Sequence, residues 1–325
     1  MKNVLVTGGA GYIGSHTCKL LHSQGYNPIV LDNLVYGHQE FVKWGEFYKG
    51  DQSDSKLIKK ILEKHQISDI IHFSAYAYVG ESVNDPIKYF ENNTVGTLNL
   101  VKTAIESGVK NIVFSSTCAT YGIPSEVPIK EDLLQTPINP YGQSKLMIEQ
   151  MLKWISAAED INYVALRYFN ASGASLDLDI GERHEPETHL IPLAIEATLQ
   201  GKPFYIFGDD YNTADGTCIR DFIHVMDLAD AHIKALEYLE REKKSNVFNL
   251  GTGNGYSVKE IIQKIEEISG KRCEAVIKDR RPGDPDALVS SPQKAFDLLN
   301  WSPKYSDIDT VISSALNWHK KEAQA

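Results

Sequence analysis

Cysteine is scarce and scattered: Cys18, Cys118, Cys218 and Cys273 are the only four in 325 residues, and no two form a Cys-x-x-Cys pair. A disulfide scaffold and a zinc knuckle are excluded, and reduced thiols in a cytoplasmic protein are expected. Basic charge is also short, since 33 Lys and Arg face 43 Asp and Glu for a net charge of −10. That balance opposes nucleic acid and anionic lipid, so neither is expected as a partner. No apolar run approaches the ~20 residues of a membrane span. Met1-Lys2-Asn3 runs straight into an apolar stretch and a glycine turn, which leaves no room for a secretory signal. The ten histidines show no His-x-x-x-His spacing and no cluster with acids, so no metal is expected. The chain also lacks internal repeats and low-complexity tracts.

What the chain has is alternation. Apolar runs at 4–7, 28–31, 70–73, 112–115 and 163–168, with a weaker one at 46–49, read as buried parallel strands. Helical periods separate them near 12–24, 54–65, 86–107 and 141–158. This order predicts an α/β fold, a doubly wound parallel sheet of Rossmann type, with ligands at the carboxyl ends of its strands. After about residue 170 the texture changes. Residues 173–190 read as a loop, and beyond it strands are expected at 204–207, 219–225 and 247–250, with helices near 191–200, 257–269 and 307–320. The expected division is a cofactor domain over 1–172 and a smaller mixed α/β substrate domain over 173–325, with parts of about 217–250 returning to the first.

Gly8, Gly11 and Gly14 lie between the first strand and the first helix, the context of a dinucleotide-binding turn. The spacing is Gly-x-x-Gly-x-x-Gly rather than the commoner Gly-x-Gly-x-x-Gly. Asp32 closes the second strand, placed to accept hydrogen bonds from a ribose diol and to repel a 2′-phosphate, which predicts NAD over NADP. Asp51 follows the third strand, where it would meet the adenine or serve a turn. Tyr141 and Lys145 stand four apart at the start of a helix and so share a face. A phenol titrates near ~10, but a cation beside it favours the phenolate, so Tyr141 is a candidate base.

These motifs, with Ser115-Ser116-Thr117-Cys118-Ala119-Thr120-Tyr121-Gly122, Arg167-Tyr168-Phe169-Asn170 and Asp215 to Asp221, closely resemble the UDP-sugar 4-epimerases of the extended short-chain dehydrogenase superfamily, in order over nearly the whole chain. The resemblance implies that Thr117 positions the sugar 4-oxygen and passes its proton, that Tyr141 is the base, and that Lys145 binds the nicotinamide ribose while lowering the phenol pKa. It implies NAD contacts at Tyr12, Ile13, Asn33 and Tyr168, a nicotinamide wall at Phe73, and a cofactor-side contact at Asn92. Asn170, His189, Leu190, Phe207, Arg220, Arg281 and Asp284 would grip UDP, the two arginines by forked bonds to pyrophosphate. The implied reaction removes hydride from C4 of a UDP-hexose, forms a 4-keto sugar that turns within the site, and returns the hydride to the opposite face. A homodimer is implied through the helices near 86–107 and 141–158, with Leu98, Val101, Met147 and Met151 either supplying the contact or belonging to the core.

Three positions depart from the family pattern. His189 stands where some relatives have Asn. Ala77 replaces a Lys that some relatives place against the cofactor phosphates. Leu288 replaces the residue that gates sugar size, so plain and N-acetylated hexoses both remain open; 4-epimerases of UDP-pentoses share the Ser115-Ser116-Thr117-Cys118-Ala119-Thr120 run, which leaves that substrate open as well. Cys118 and Ala119 occupy the places where related 4,6-dehydratases carry Asp-Glu, so elimination lacks its acid and base. A non-catalytic NAD-binding module would have no need of Thr117, Tyr141 and Lys145 together.

Overall fold

The computed structural model describes residues 1–281 and 283–324. Strand β1 (Lys2–Thr7) leads through α1 (Tyr12–Ser23) to β2 (Tyr26–Asp32), β3 (Glu46–Lys49), α2 (Ser55–His65) and β4 (Asp69–His72). Two short helices follow, α3 (Val79–Asn84) and α4 (Pro86–Tyr89), then a π-helical turn at Phe90–Val95, α5 (Gly96–Glu106), β5 (Asn111–Thr117), α6 (Pro140–Ala158) and β6 (Asn162–Tyr168). Beyond these come β7 (Asn170–Ser172), α7 (Leu190–Gln200), β8 (Pro203–Phe207), β9 (Ile219–Arg220), β10 (Phe222–His224), α8 (Val225–Glu242) and β11 (Asn246–Leu250). The chain closes with β12 (Tyr256–Ser257), α9 (Val258–Ser269), β13 (Glu274–Lys278), β14 (Ala287–Leu288), α10 (Gln293–Leu299) and α11 (Ile308–Glu322).

Seven parallel strands form the main sheet in the order β11-β6-β5-β4-β1-β2-β3. The chain winds outward from β1 through β2 and β3, then returns to start the other half at β4. The switch point therefore lies between β1 and β4, and a crevice opens beyond their carboxyl ends. Because both faces are covered, the middles of the central strands are apolar on both sides: Val4, Val6 and Ile71 face α1 and α8, while Leu5, Ile70 and Phe114 face α2, α5 and α6. Each such fully buried side chain contributes about 1.5–3 kcal/mol. A third core joins α7, α9 and α11 to β8 through Ile195, Ile261, Ile265 and Ile312.

Two sequence expectations fail here. The strand expected over 219–225 is broken at Asp221, because its halves serve different sheets: β9 pairs with β12 and β14, whereas β10 pairs with β7. The 18-residue α8 that follows was not expected at all. It covers one face of the main sheet against α1, with Leu228, Ala231, Ala235 and Leu239 buried.

Helix α6 starts for local reasons. Asn139 accepts the Gly142 N–H at 2.8 Å and Pro140 fills the first turn, where no backbone donor is needed. On the outer side of this pair of helices Leu98 and Met147 are exposed, and so is Trp154 at 77%; Val101 is buried in the chain's own core and Met151 packs against it. Val101 therefore does not supply a contact between chains.

Candidate active site

A cleft of about 510 Å³ lies at the switch point. Its floor is the glycine loop. Gly8 has φ +72°, and a Cβ on Gly14 would stand 2.2 Å from the Gly8 carbonyl oxygen, so strand and helix approach as only glycine permits. Gly11 caps α1 without a side-chain bond and the first turn carries no acid, which leaves helix N–H groups and the positive dipole end facing the cleft. Asp32 is fixed by the Ala10 N–H at 3.0 Å and the Leu34 N–H at 2.8 Å, one to each carboxylate oxygen. Asn33 donates to Asp51 at 2.9 Å, and Asp51 also accepts the Ser53 N–H at 2.9 Å, so it serves both the cleft wall and a turn. A free helix start for a phosphate and an anchored carboxylate 18 residues beyond the last glycine fit a dinucleotide.

The reactive groups sit at the carboxyl end of β5 and the first turns of α6. Thr117 is the last residue of β5, and its hydroxyl accepts the Ala119 N–H at 3.1 Å. Opposite it stands Tyr141. Lys145 lies one turn on and is 2% exposed, donating to the Ser115 carbonyl at 2.8 Å. Its neighbour along α6, Glu149, is clamped by Arg167 at 2.6–3.1 Å, and Arg167 also donates to the Tyr121 hydroxyl at 2.8 Å. This buried pair holds α6 against β6 and keeps one negative charge beneath Lys145.

The electrostatics differ from the sequence expectation. Burial raises the Tyr141 phenol above its ordinary value and Tyr168 adds to that, while the Thr117 hydroxyl pulls the other way. Burial also pushes Lys145 down to about 7, against the attraction of Glu149. Lys145 Nζ lies 6.0 Å from the Tyr141 ring centroid. In the chain alone burial therefore outweighs the lysine, whose ammonium is itself pushed down and donates to a carbonyl, and the phenol stays above its ordinary value. Tyr168, hydrogen-bonded to Ser115, is pushed up to about 12 by burial.

Of the residues singled out in the sequence, Gly8, Gly11, Tyr12, Ile13, Gly14, Asp32, Asn33, Asp51, Phe73 and Asn92 line this cleft, as do Thr117, Tyr141, Lys145, Tyr168, Asn170, His189, Arg220, Asp284 and Leu288. Three do not. Leu190 opens α7 and packs on the third core. Phe207 is 41% exposed with Arg281 over its ring, and Arg281 donates to Asp284 at 2.8 Å outside the cleft lining. Arg220 is the better held cation: only 12% of its side chain is exposed, and it donates to the carbonyls of Ile219 and Pro285 at 2.8 and 3.0 Å. Asn170 donates to the Asp221 carbonyl at 2.9 Å, and Asp221 itself ties the 252–253 turn and Ser290 to β9. Ala77 is exposed at the cleft edge and places no cation there.

The sequence reading missed residues on the wall between β7 and α7. Glu182, His184, Glu187 and His189 bring ligand atoms within 4.8 Å of one another, which corrects the expectation that no histidine clusters with acids. Desolvation opposes protonation of both imidazoles, but the two carboxylates outweigh it and raise them above the ordinary value. Four potential ligands within eight residues are the signal that was available; their uneven spacing matches no helix or strand period.

The profile of the NAD dependent epimerase/dehydratase family matches residues 4–251. The chain belongs to that family. It is 50% identical to the UDP-glucose 4-epimerase of Rhizobium meliloti over 99% of this chain and 98% of that one. The crystal structure of UDP-glucose 4-epimerase from Brucella ovis in complex with NAD is also 50% identical, covers 98% of each chain and superposes with a TM-score of 0.95. The UDP-Glc/GlcNAc 4-epimerase from Campylobacter jejuni is 42% identical over 99% of this chain and all of that one, with a TM-score of 0.86. The family agrees with the NAD cofactor expected from the glycine turn and Asp32.

Proposed function

We propose that the protein catalyses reversible C4 epimerisation of a UDP-hexose, interconverting UDP-galactose and UDP-glucose. The observation that carries this reading is the placement of Thr117 opposite Tyr141 in one cleft with the glycine loop and Arg220. NAD, when bound, supplies a reversible hydride acceptor for the sugar carbon. Gly8, Gly11, Gly14, Tyr12 and Ile13 would hold its pyrophosphate, Asp32 and Asn33 its ribose and Asp51 its adenine, with Lys145 and Tyr168 at the reactive end beside Phe73 and Asn92.

Thr117 orients the sugar 4-hydroxyl and relays its proton, and Tyr141 takes that proton and later gives it back. Since the protein alone raises the phenol pKa, the phenolate depends on positive charge entering the cleft when it is filled. Cys118 supplies no base at the neighbouring carbons: burial pushes its thiol up to about 12, and Ala119 has no titratable group. Elimination of water is thereby disfavoured and the proton goes back where it came from. Arg220, Asn170, His189 and Asp284 grip the diphosphate and uridine, while Leu288, packed among Tyr121, Ile129 and Phe169, bounds the sugar.

The same reading assigns cofactor binding to about residues 1–172 and substrate binding mainly to 173–325. A homodimer would close over the exposed Leu98, Met147 and Trp154 face. Four free cysteines suit a reducing compartment such as the cytoplasm, and among the described residues no helix is long and apolar enough to cross a membrane. Incubating the purified protein separately with UDP-galactose, UDP-N-acetylgalactosamine and UDP-xylose tests the substrate: turnover is expected to be fastest with UDP-galactose, and faster turnover of either other sugar overturns the hexose assignment.

A further inference from the structure

Among the aromatic side chains that border the glycine loop, one polar atom is left over by the fold. Tyr78, the N-cap of α3, lines the cleft and is 9% exposed, yet its hydroxyl is buried without a hydrogen-bond partner. The neighbouring phenols do have partners. The Tyr89 hydroxyl accepts the Tyr78 N–H at 3.0 Å and lies 2.7 Å from the Tyr78 carbonyl oxygen, and the Tyr36 hydroxyl accepts from Lys88 at 3.4 Å. An unpaired buried hydroxyl destabilises the chain that carries it, so its place in a cleft points to a ligand that completes it.

The surroundings say which end of the cleft this is. A Cβ on Gly8 would stand 2.7 Å from the Ser74 nitrogen, so the segment that leaves β4 toward Tyr78 runs against the glycine loop. From the other side, the His38 N–H donates to the Ala10 carbonyl at 2.9 Å and folds the loop after Asp32 onto the same turn. Tyr36 of that loop packs on Tyr78, with ring centroids 4.9 Å apart. The His184 ring lies 6.2 Å from that of Tyr12, the first residue of α1, and 6.1 Å from that of Tyr78. The backbone here is pinned. The Asn93 side chain accepts the Tyr76 N–H at 2.9 Å and donates to the Tyr76 carbonyl at 3.0 Å, as Tyr89 holds Tyr78 two residues on.

We propose that the Tyr78 hydroxyl donates a hydrogen bond to the diphosphate of NAD, beside the free N–H groups that open α1. Among the described residues the cleft lining carries two Lys or Arg side chains, Lys145 and Arg220, and carbonyls on other elements hold both. Ala77 adds no charge, so a neutral donor next to it takes on more of the work. Burial first, then the charge of nearby groups including Glu187, pushes the Tyr78 phenol up to about 12, so it keeps its proton and does not repel a phosphate. A UDP-sugar would bring a second diphosphate to the same cleft. The contact with Tyr36, four residues after Asp32, assigns Tyr78 to the cofactor's. The proposal rests on NAD lying along the glycine loop and is independent of which sugar the protein uses.

The test is calorimetric titration of NAD-free protein, wild type and Tyr78→Phe, with NAD and with ADP-ribose, and of both proteins at saturating NAD with UDP. The change removes one oxygen and keeps the ring against Tyr36. Affinity for NAD and for ADP-ribose is expected to fall about 10–100-fold while affinity for UDP is unchanged. Without ligand the variant should resist urea at least as well as wild type, because an unpaired buried hydroxyl has gone. Unchanged affinity for NAD and ADP-ribose overturns the proposal, and so does a loss confined to UDP. A marked loss of urea resistance in the unliganded variant also overturns it, since the hydroxyl would then serve the fold. Failure of wild type itself to bind NAD would overturn the cofactor site as a whole, an outcome distinct from any difference between the two proteins.

Discussion

On one wall of the cleft, Asp32 and Thr117 end strands of seven residues and Tyr141 and Lys145 begin a helix of 19. On the other, Arg220 and Leu288 stand on strands of two residues each, held together by Asp221 and by backbone carbonyls. The first wall fixes side chains by regular structure packed on both faces; the second fixes them by side-chain to backbone bonds between segments far apart in sequence. The lesson concerns division of labour. Groups that must meet a reacting atom within a fraction of an ångström sit on the sheet, and groups that choose and grip the substrate sit on the irregular side.

If that division holds, changes on the first wall strike chemistry or fold, and changes on the second strike substrate affinity. Tyr141→Phe has the largest expected effect on rate: turnover falls about 10²–10⁴-fold while NAD stays bound, read from steady-state kinetics beside cofactor absorbance. Near-normal turnover would remove Tyr141 from the role of base. Glu149→Ala leaves the buried Arg167 charge unpaired and should cost about 3–5 kcal/mol in denaturant unfolding; a cost below about 1 kcal/mol would mean that the pair does not anchor α6. Arg220→Met should raise KM for the UDP-sugar about 10–100-fold with little change in NAD content. Arg281→Ala, at an exposed ion pair, should change KM by no more than about 1 kcal/mol equivalent. Equal effects of the two arginine changes would erase the distinction between the held and the exposed cation.

A separate prediction concerns pH. Burial pushes Lys145 down to about 7 in the folded chain, below its ordinary 10.5 in the unfolded one. Between those values the unfolded chain binds more protons, so stability from this group rises as pH rises. In NAD-free protein, the stability of wild type relative to Lys145→Met should therefore climb from about pH 7 toward pH 10 in urea titrations at each pH. A flat difference would mean that the ammonium is not destabilised by burial.

The sheet wall was legible because its signals are local. A strand, three glycines, a helix and an acid after the next strand lie within Val4 to Asp32, and Tyr141 and Lys145 share one helical turn. The other wall was only partly legible. Arg220 is made by its contacts with Pro285 and Asp284, about 65 residues away in sequence. Arg281 carries the same charge, but its side chain is 57% exposed and its bond to Asp284 spans only three residues, so its type alone could not rank it. Helix α8 escaped because the apolar run of β10 continues into its first turn, and because Asp227 looks like a surface charge but accepts the backbone N–H groups of Lys304 and Tyr305 at 2.8 and 2.9 Å. The burial that raises the Tyr141 phenol and lowers the Lys145 ammonium in the chain alone was not legible, since spacing reveals proximity and not burial.

The central claim is that this cleft moves one proton and returns it to the same oxygen without a net oxidant. The most direct measurement is incubation of the purified protein with UDP-galactose and no added NAD, with products followed over time. UDP-glucose should accumulate to equilibrium with no net change in cofactor redox state. Failure to form UDP-glucose even when NAD is supplied would contradict the account.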